Sequence, residues 1–193
     1  MSTALVEHTG PWTPDDVEAL PDAGDHARYE VYEGGVLVVS PAPGVGHQRA
    51  SYRLHRALAE AAIIAGADVE VLEAVNVALP GGKLLVPDVA VIDAAVVSET
   101  VTRLPSDAVQ AVVEVVSPST VSIGRAVKPV LYAEAGIPVY WRVELHGTPR
   151  IVACSLSRGR YVTRATLAAG SAGRITRPFP VELDPADLIR RTP

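Results

Sequence analysis

The chain has 193 residues, 48% of them hydrophobic, the size of one domain able to bury roughly 70% of its unfolded surface without a covalent staple. Its single cysteine, Cys154, excludes an intrachain disulfide, its longest alanine-rich stretch falls well short of the ~20 apolar residues of a membrane span, and its first residues lack the pattern of a secretory signal, so a reducing cytoplasm is expected. Seventeen Lys plus Arg against 22 Asp plus Glu give a formal charge of −5, which opposes long-range recruitment of a polyanion unless a local arginine stripe or a bound metal ion inverts the potential of a cleft.

Residues 1–25 mix prolines and acids and read as an N-terminal arm, with a short helix over 14–20 in which Thr13 caps and Pro14 occupies the first turn. Residues 26–193 read as one domain, with no internal repeat. Two apolar runs, 29–32 and 36–39, joined through Glu33-Gly34-Gly35, predict a hairpin. Ser40-Pro41-Ala42-Pro43-Gly44 then breaks the chain before a helix predicted over 45–65. Its apolar face is Ala50, Leu54, Ala57 or Leu58, and Ala61, and it is expected to pack against the sheet through Leu54, Leu58 and Ala61. Arg49, Arg53, Arg56 and Glu60 recur at spacings of three and four on the other side, either as a solvated face or as a row directed at a phosphate backbone.

Gly66 ends that helix, and strands are predicted at 69–72 and 75–79, followed by a Pro80-Gly81-Gly82 turn. The next run, 84–92, contains Pro87 and is expected to be an edge or irregular strand. Residues 108–116 are apolar on both faces except at Gln110 and Glu114, as in a strand covered by helices on at least one side. Ser117-Pro118-Ser119-Thr120 turns the chain toward a helical segment ending near Gly136, whose internal Pro129 requires a late start or a kink. Strands are predicted at 138–143, 150–156 and 161–165, the last two joined by a Ser157-Arg158-Gly159-Arg160 turn, and a final helix at 185–190.

Two acids interrupt the apolar strand runs, Asp88 and Glu114. A buried carboxylate without a partner is costly, so each calls for a cation, a metal or hydrogen-bond donors. If their strands are adjacent, the two acids converge on one exposed cleft and offer the hard oxygen ligands that Mg²⁺ or Mn²⁺ prefers. The alternatives are a structural salt bridge or a proton shared between the acids. Lys128, on the next segment, can bring a cation to the same cleft. Glu30, in the hairpin, and His47, at the start of the long helix, complete the candidates, His47 as a positioning or phosphate-contact residue.

The order of motifs resembles one family. Tyr29-Glu30-Val31-Tyr32-Glu33-Gly34, Ser40-Pro41-Ala42-Pro43 with His47, Pro87-Asp88-Val89-Ala90-Val91, Glu114-Val115-Val116-Ser117-Pro118-Ser119-Thr120, Lys128, Tyr132 and Gly136-Ile137-Pro138-Val139-Tyr140-Trp141 closely resemble the putative restriction endonuclease family of the PD-(D/E)xK nuclease superfamily. The resemblance covers residues 29–161 and implies an α/β fold, a restriction-endonuclease-like mixed central sheet flanked by helices. It also implies that Asp88 and Glu114 are metal ligands, that Glu30 is an additional catalytic acid, and that Lys128 supplies from a helix the lysine that the superfamily usually carries two positions after the second acid, here Val116. Gly124 stands where the family commonly has an aspartate, and Glu144 replaces the usual aspartate after the aromatic pair.

The function so implied is a Mg²⁺- or Mn²⁺-dependent phosphodiesterase acting on DNA, for which a homodimer is the economical way to address two strands. A non-catalytic structural or nucleic-acid-binding protein of the same fold is the alternative, since fold does not fix function. A small-molecule hydrolase is a third class and calls for a narrow closed pocket.

Overall fold

Thr13 opens the first helix, α1 (Pro14–Glu18), by accepting the Asp16 N–H while the Asp16 carboxylate accepts the Thr13 N–H at 2.8 Å, a reciprocal cap. The computed structural model describes residues 7–20, 27–116 and 126–190. The turn expected at Ser117-Pro118-Ser119-Thr120, Gly124 and the ends of the arm lie outside them. The expected hairpin forms from β1 (Arg28–Tyr32) and β2 (Val36–Ser40), paired antiparallel. Gly35 lies at φ 72°, and a Cβ there would come within 2.4 Å of the Pro11 Cβ, so the turn and the approach of the arm both demand glycine.

The long helix, α2 (Val45–Ala65), ends at Gly66 in the left-handed conformation, whose N–H and that of Ala67 reach back to the Ile63 and Ala62 carbonyls. After it come β3 (Val69–Glu73), β4 (Asn76–Leu79), β5 (Lys83–Leu85), β6 (Val89–Asp93), β7 (Arg103–Pro105) and β8 (Val109–Val116). The third helix, α3 (Lys128–Glu134), carries Pro129 in its first turn, directly after a π-helical pair at Ala126 and Val127, so the proline lies where helical geometry changes and its missing N–H is tolerated. β9 (Val139–Glu144), β10 (Arg150–Ser157), β11 (Arg160–Ala168), β12 (Gly173–Ile175), β13 (Val181–Leu183) and α4 (Pro185–Ile189) complete the chain.

A six-stranded mixed sheet has the order β11-β10-β9-β8-β6-β3, and a five-stranded one β2-β1-β5-β4-β7. β12 and β13 form a separate ribbon. The run 84–92 is a correction to the sequence reading. It is not one edge or irregular strand but two strands in different sheets, separated at Val86-Pro87-Asp88, and β6 lies inside its sheet between β3 and β8. Pro87 cannot donate to a ladder, so the chain changes sheets there.

Alternation along β6 and along β8 from Ala111 onward sends odd-numbered residues to one side and even-numbered ones to the other, while a register shift before Ala111 puts Val109 with the even-numbered face. Val89, Val91, Ala111 and Val113 face α2, which buries Ala50, Leu54, Leu58 and Ala61 against them. Leu58, not Ala57, is the buried member of that face. Full burial of each leucine contributes roughly 1.5–3 kcal/mol. Ala90, Ile92 and Val112 face Val77, Leu85 and Leu104 of the second sheet, together with Leu131 and Tyr132 of α3. Helices thus flank mixed sheets, as expected. No described helix is long and apolar enough to cross a membrane. In the basic row of α2, Arg56 pairs with Glu60 at 3.0 Å, while Arg53 donates to the carbonyls of Asp187 and Arg190 and so ties α2 to the end of α4.

Candidate active site

β6 and β8 pair antiparallel with Val89 opposite Val113, so Asp88, one residue before β6, comes opposite Glu114. Both are even-numbered and lie on the face turned away from α2. The Val115 N–H donates to Asp88 Oδ2 at 2.7 Å, which fixes the aspartate against β8. The acids converge, but the exposed cleft expected for them is corrected: Asp88 retains 3% and Glu114 6% of its accessible surface. The second sheet and α3 cover this face, so the carboxylates meet in the interior.

β1 brings Arg28 and Glu30 to the same place on its even-numbered side. Arg28 Nη1 lies 2.5 Å from Asp88 Oδ1, and His47 Nε2, from the first turn of α2, lies 3.2 Å from Asp88 Oδ2. His47 Nδ1 is buried and has no hydrogen-bond partner among the described residues. Glu30 accepts the Val86 N–H at 2.7 Å and the Tyr32 hydroxyl at 3.1 Å. From α3, the Lys128 ammonium lies 2.8 Å from Glu30, 3.0 Å from Glu114 Oε1 and 3.4 Å from the Val86 carbonyl. One helical turn later, Tyr132 donates its hydroxyl to Glu114 Oε1 at 2.7 Å. The structure therefore brings Asp88, Glu114, Lys128, Glu30 and His47 together.

The electrostatics split the two central acids. Burial pushes the Glu114 carboxyl up to about 7, helped by the negative charges of Asp88 and Glu30 and opposed by Lys128 and Tyr132. Burial also opposes ionisation of Asp88, yet the His47 and Arg28 contacts outweigh it and hold that carboxyl below its ordinary range. Burial disfavours the Lys128 ammonium, but the Glu114 and Glu30 carboxylates prevail and keep it protonated. Tyr132 is driven upward by burial and by Glu114, so its hydroxyl remains a donor.

Arg28 and Tyr132 were not identified as site residues from the sequence. Both carried a signal. Arg28 precedes Glu30 by two residues, the strand period that shares a face, and Tyr132 follows Lys128 by four, the helix period that does so. Arg142, opposite Glu114 in the parallel β8–β9 register, was missed as well, and so was the role of buried Glu144, which binds Arg142 at 2.9 Å and Arg150 at 2.5 Å.

The sequence model of the Uma2 family, described as a putative restriction endonuclease, matches residues 14–188. This chain belongs to the Uma2 family. Among solved structures, the chain is similar to a putative nuclease from Anabaena variabilis, assigned to a domain family of unknown function, with 15% identity and a TM-score of 0.66 over 93% of this chain and 98% of that one. That likeness carries the fold. No curated protein matches the chain. The Uma2 fold here is nuclease-like, and the buried acid and lysine group occupies the junction of its two large sheets.

Two carboxylates on facing positions form a donor set suited to Mg²⁺ or Mn²⁺, which commonly takes one or two protein carboxylates and completes its shell with water and substrate oxygens. The raised pKa of Glu114 has a component of repulsion from Asp88 that a cation would relieve. Among the described residues, however, no group of three or more His, Cys, Asp or Glu side chains is arranged to hold a metal ion.

Proposed function

We propose that this Uma2 protein is a divalent-metal-dependent DNA phosphodiesterase of endonuclease type, with Asp88 and Glu114 as metal ligands and Lys128 and Glu30 completing the catalytic group. The observation that carries this reading is the meeting of the two facing acids with a buried, protonated lysine 3.0 Å from one of them. Mg²⁺ or Mn²⁺ bound by the pair would polarise a phosphoryl oxygen and lower the pKa of a water. Lys128 is fixed between Glu30 and Glu114 and supplies positive charge where negative charge develops on the phosphate oxygens during hydrolysis. Glu30 holds the ammonium in place and anchors itself on the Val86 N–H. Arg28 and His47 orient Asp88 and keep it ionised. In hydrolysis, water oxygen bonds to phosphorus, the bond to the leaving sugar oxygen breaks, and that oxygen takes a proton.

A specific observation favours a second reading, a non-catalytic structural or nucleic-acid-binding protein. Both Asp88 oxygens already have partners, in Arg28, His47 and the Val115 N–H, and Glu114 is held by Lys128 and Tyr132. Calorimetric titration of wild type and Asp88→Ala with Mn²⁺, followed by DNA cleavage assays in Mg²⁺ and Mn²⁺, separates the two. Binding and cleavage that are both lost in the variant support the enzyme. Wild-type protein that binds neither metal supports the second reading.

A further inference from the structure

On the opposite side of the six-stranded sheet, a pocket of about 410 Å³ opens beside β10, β11 and β12. Trp141, which lines it, sits beside Val113 on the α2 face, whereas Glu114 lies on the other face, so the pocket is separate from the acid and lysine group. Three arginines line it, Arg164, Arg174 and Arg177, and no carboxylate does. Among the described residues these guanidiniums make no ion pair and no side-chain hydrogen bond. Glu182, opposite Arg174 in the β12–β13 register, neither pairs with it nor reaches the pocket. In a chain of formal charge −5, a concavity lined by three arginines and, among the described residues, by no carboxylate is a local inversion of the protein's charge.

The backbone is specialised to put them there. Ala153 pairs with Ala165 but Cys154 with Thr163, so Arg164 is the extra residue of a bulge in the edge strand β11. Regular alternation would send Arg164 and Ala165 to opposite faces, yet both line the pocket. Arg177 is held at the wall by its carbonyl, which accepts the Trp141 indole N–H at 3.2 Å. The hydroxyls of Ser155 and Thr176 also belong to lining residues and add neutral donors.

One guanidinium fork saturates a carboxylate, whereas a phosphate has enough charge and enough free oxygens to engage several. The volume is that of a small-ligand site. We propose that this pocket binds a phosphate-bearing ligand of mononucleotide size through Arg164, Arg174 and Arg177. The phosphate belongs either to a free nucleotide or to the backbone of a nucleic acid, and the site operates without metal.

The test is a calorimetric titration of the full chain at low salt in EDTA, with pyrophosphate, deoxyadenosine monophosphate and a short single-stranded deoxyoligonucleotide as probes. EDTA removes any metal-bridged binding at Asp88 and Glu114. Arg164→Gln and Arg177→Gln are each expected to weaken binding by about tenfold or more, the loss of one charge-assisted fork, while Arg160→Gln, on β11 but outside the pocket, leaves it unchanged. Thermal melts of these exposed-residue variants should match wild type. Tighter binding of the oligonucleotide than of the mononucleotide, lost in the same variants, assigns the phosphate to a nucleic-acid backbone. Equal or weaker binding assigns it to a free nucleotide. Failure of all three probes to bind folded protein, or binding that is equally tight in the Arg164 and Arg177 variants, overturns the proposal.

Discussion

Replacing Glu114 by Gln tests whether the cost of holding a second carboxylate in this interior has the size that its surroundings dictate. In the unfolded chain the glutamate titrates at its ordinary 4.5, and in the fold at about 7, an interval of about 2.5 pH units. Within that window the native state binds more protons than the unfolded state, so the unfolding free energy of the wild type falls as pH rises. Each pH unit is worth about 1.36 kcal/mol, so the full cost, present above the folded pKa, is on the order of 3 kcal/mol. Glutamine carries no titrating proton, keeps an oxygen for the Tyr132 hydroxyl, and leaves Lys128 its contact with Glu30. Urea denaturation in EDTA from pH 4.5 to 8 should therefore give two stability curves that meet at the acid end and separate by about 3 kcal/mol near pH 8 in favour of the variant. Parallel curves, or a wild type that gains on the variant as pH rises, would falsify the assignment of Glu114 as a strained buried acid.

Asp88 has the opposite sign. Its depressed pKa contributes stability that is present above the unfolded value of 3.8 and lost as pH falls through the folded value, so the advantage of wild type over Asp88→Asn should shrink in acid denaturation below about pH 4. Saturating Mn²⁺, at about a hundred times its dissociation constant, should stabilise wild type by about 2.7 kcal/mol in thermal melts, an effect missing in Asp88→Ala and intact in Asp187→Ala, whose side chain is exposed in α4. Equal gains in all three proteins would exclude a specific site at Asp88. Lys128→Met leaves Glu30 and Glu114 buried without their shared cation and should cost about 3–5 kcal/mol by urea denaturation; a variant as stable as wild type would remove the ammonium from between the acids. Leu58→Ala opens a cavity where α2 meets the six-stranded sheet and should cost about 2–5 kcal/mol, a loss under 1 kcal/mol being inconsistent with that packing.

The long helix was legible because its signals agree: a Pro-Gly entry, an apolar face at helical spacing and Gly66 at the exit. Asp88 and Glu114 stood out because each breaks an apolar run, and a charge in such a run must have a partner. The change of sheet within 84–92 was not legible, because an apolar run is the same whether its neighbours on the ladder come from one sheet or two, and only pairing partners far along the chain distinguish them. The depth of the site was missed for a related reason. Its cover comes from β1, β5 and α3, and burial by distant elements leaves no local mark. Arg28 was the opposite case, a plain charged residue at a strand start whose relation to Glu30 follows from the strand period alone. The ribbon of β12 and β13 was lost in a proline-containing tail because its strands have only three residues each, too few to establish alternation.

The chain leaves the five-stranded sheet after Leu85 and enters the six-stranded one at Val89, and two of the candidate acids clasp that crossing. Glu30 takes the N–H of Val86 on the departing side, and Asp88 takes the N–H of Val115 on the arriving side. These carboxylates are therefore fasteners of the architecture as well as chemical groups. A descendant that had abandoned catalysis would still unravel this crossing by discarding them, so their persistence in a sequence is no signature of turnover. The residues free to drift first in such a descendant are those whose absence leaves no backbone group stranded, and among the five candidates His47 and Glu114 fit that description, since His47 meets the Asp88 carboxylate and Glu114 meets the Lys128 and Tyr132 side chains.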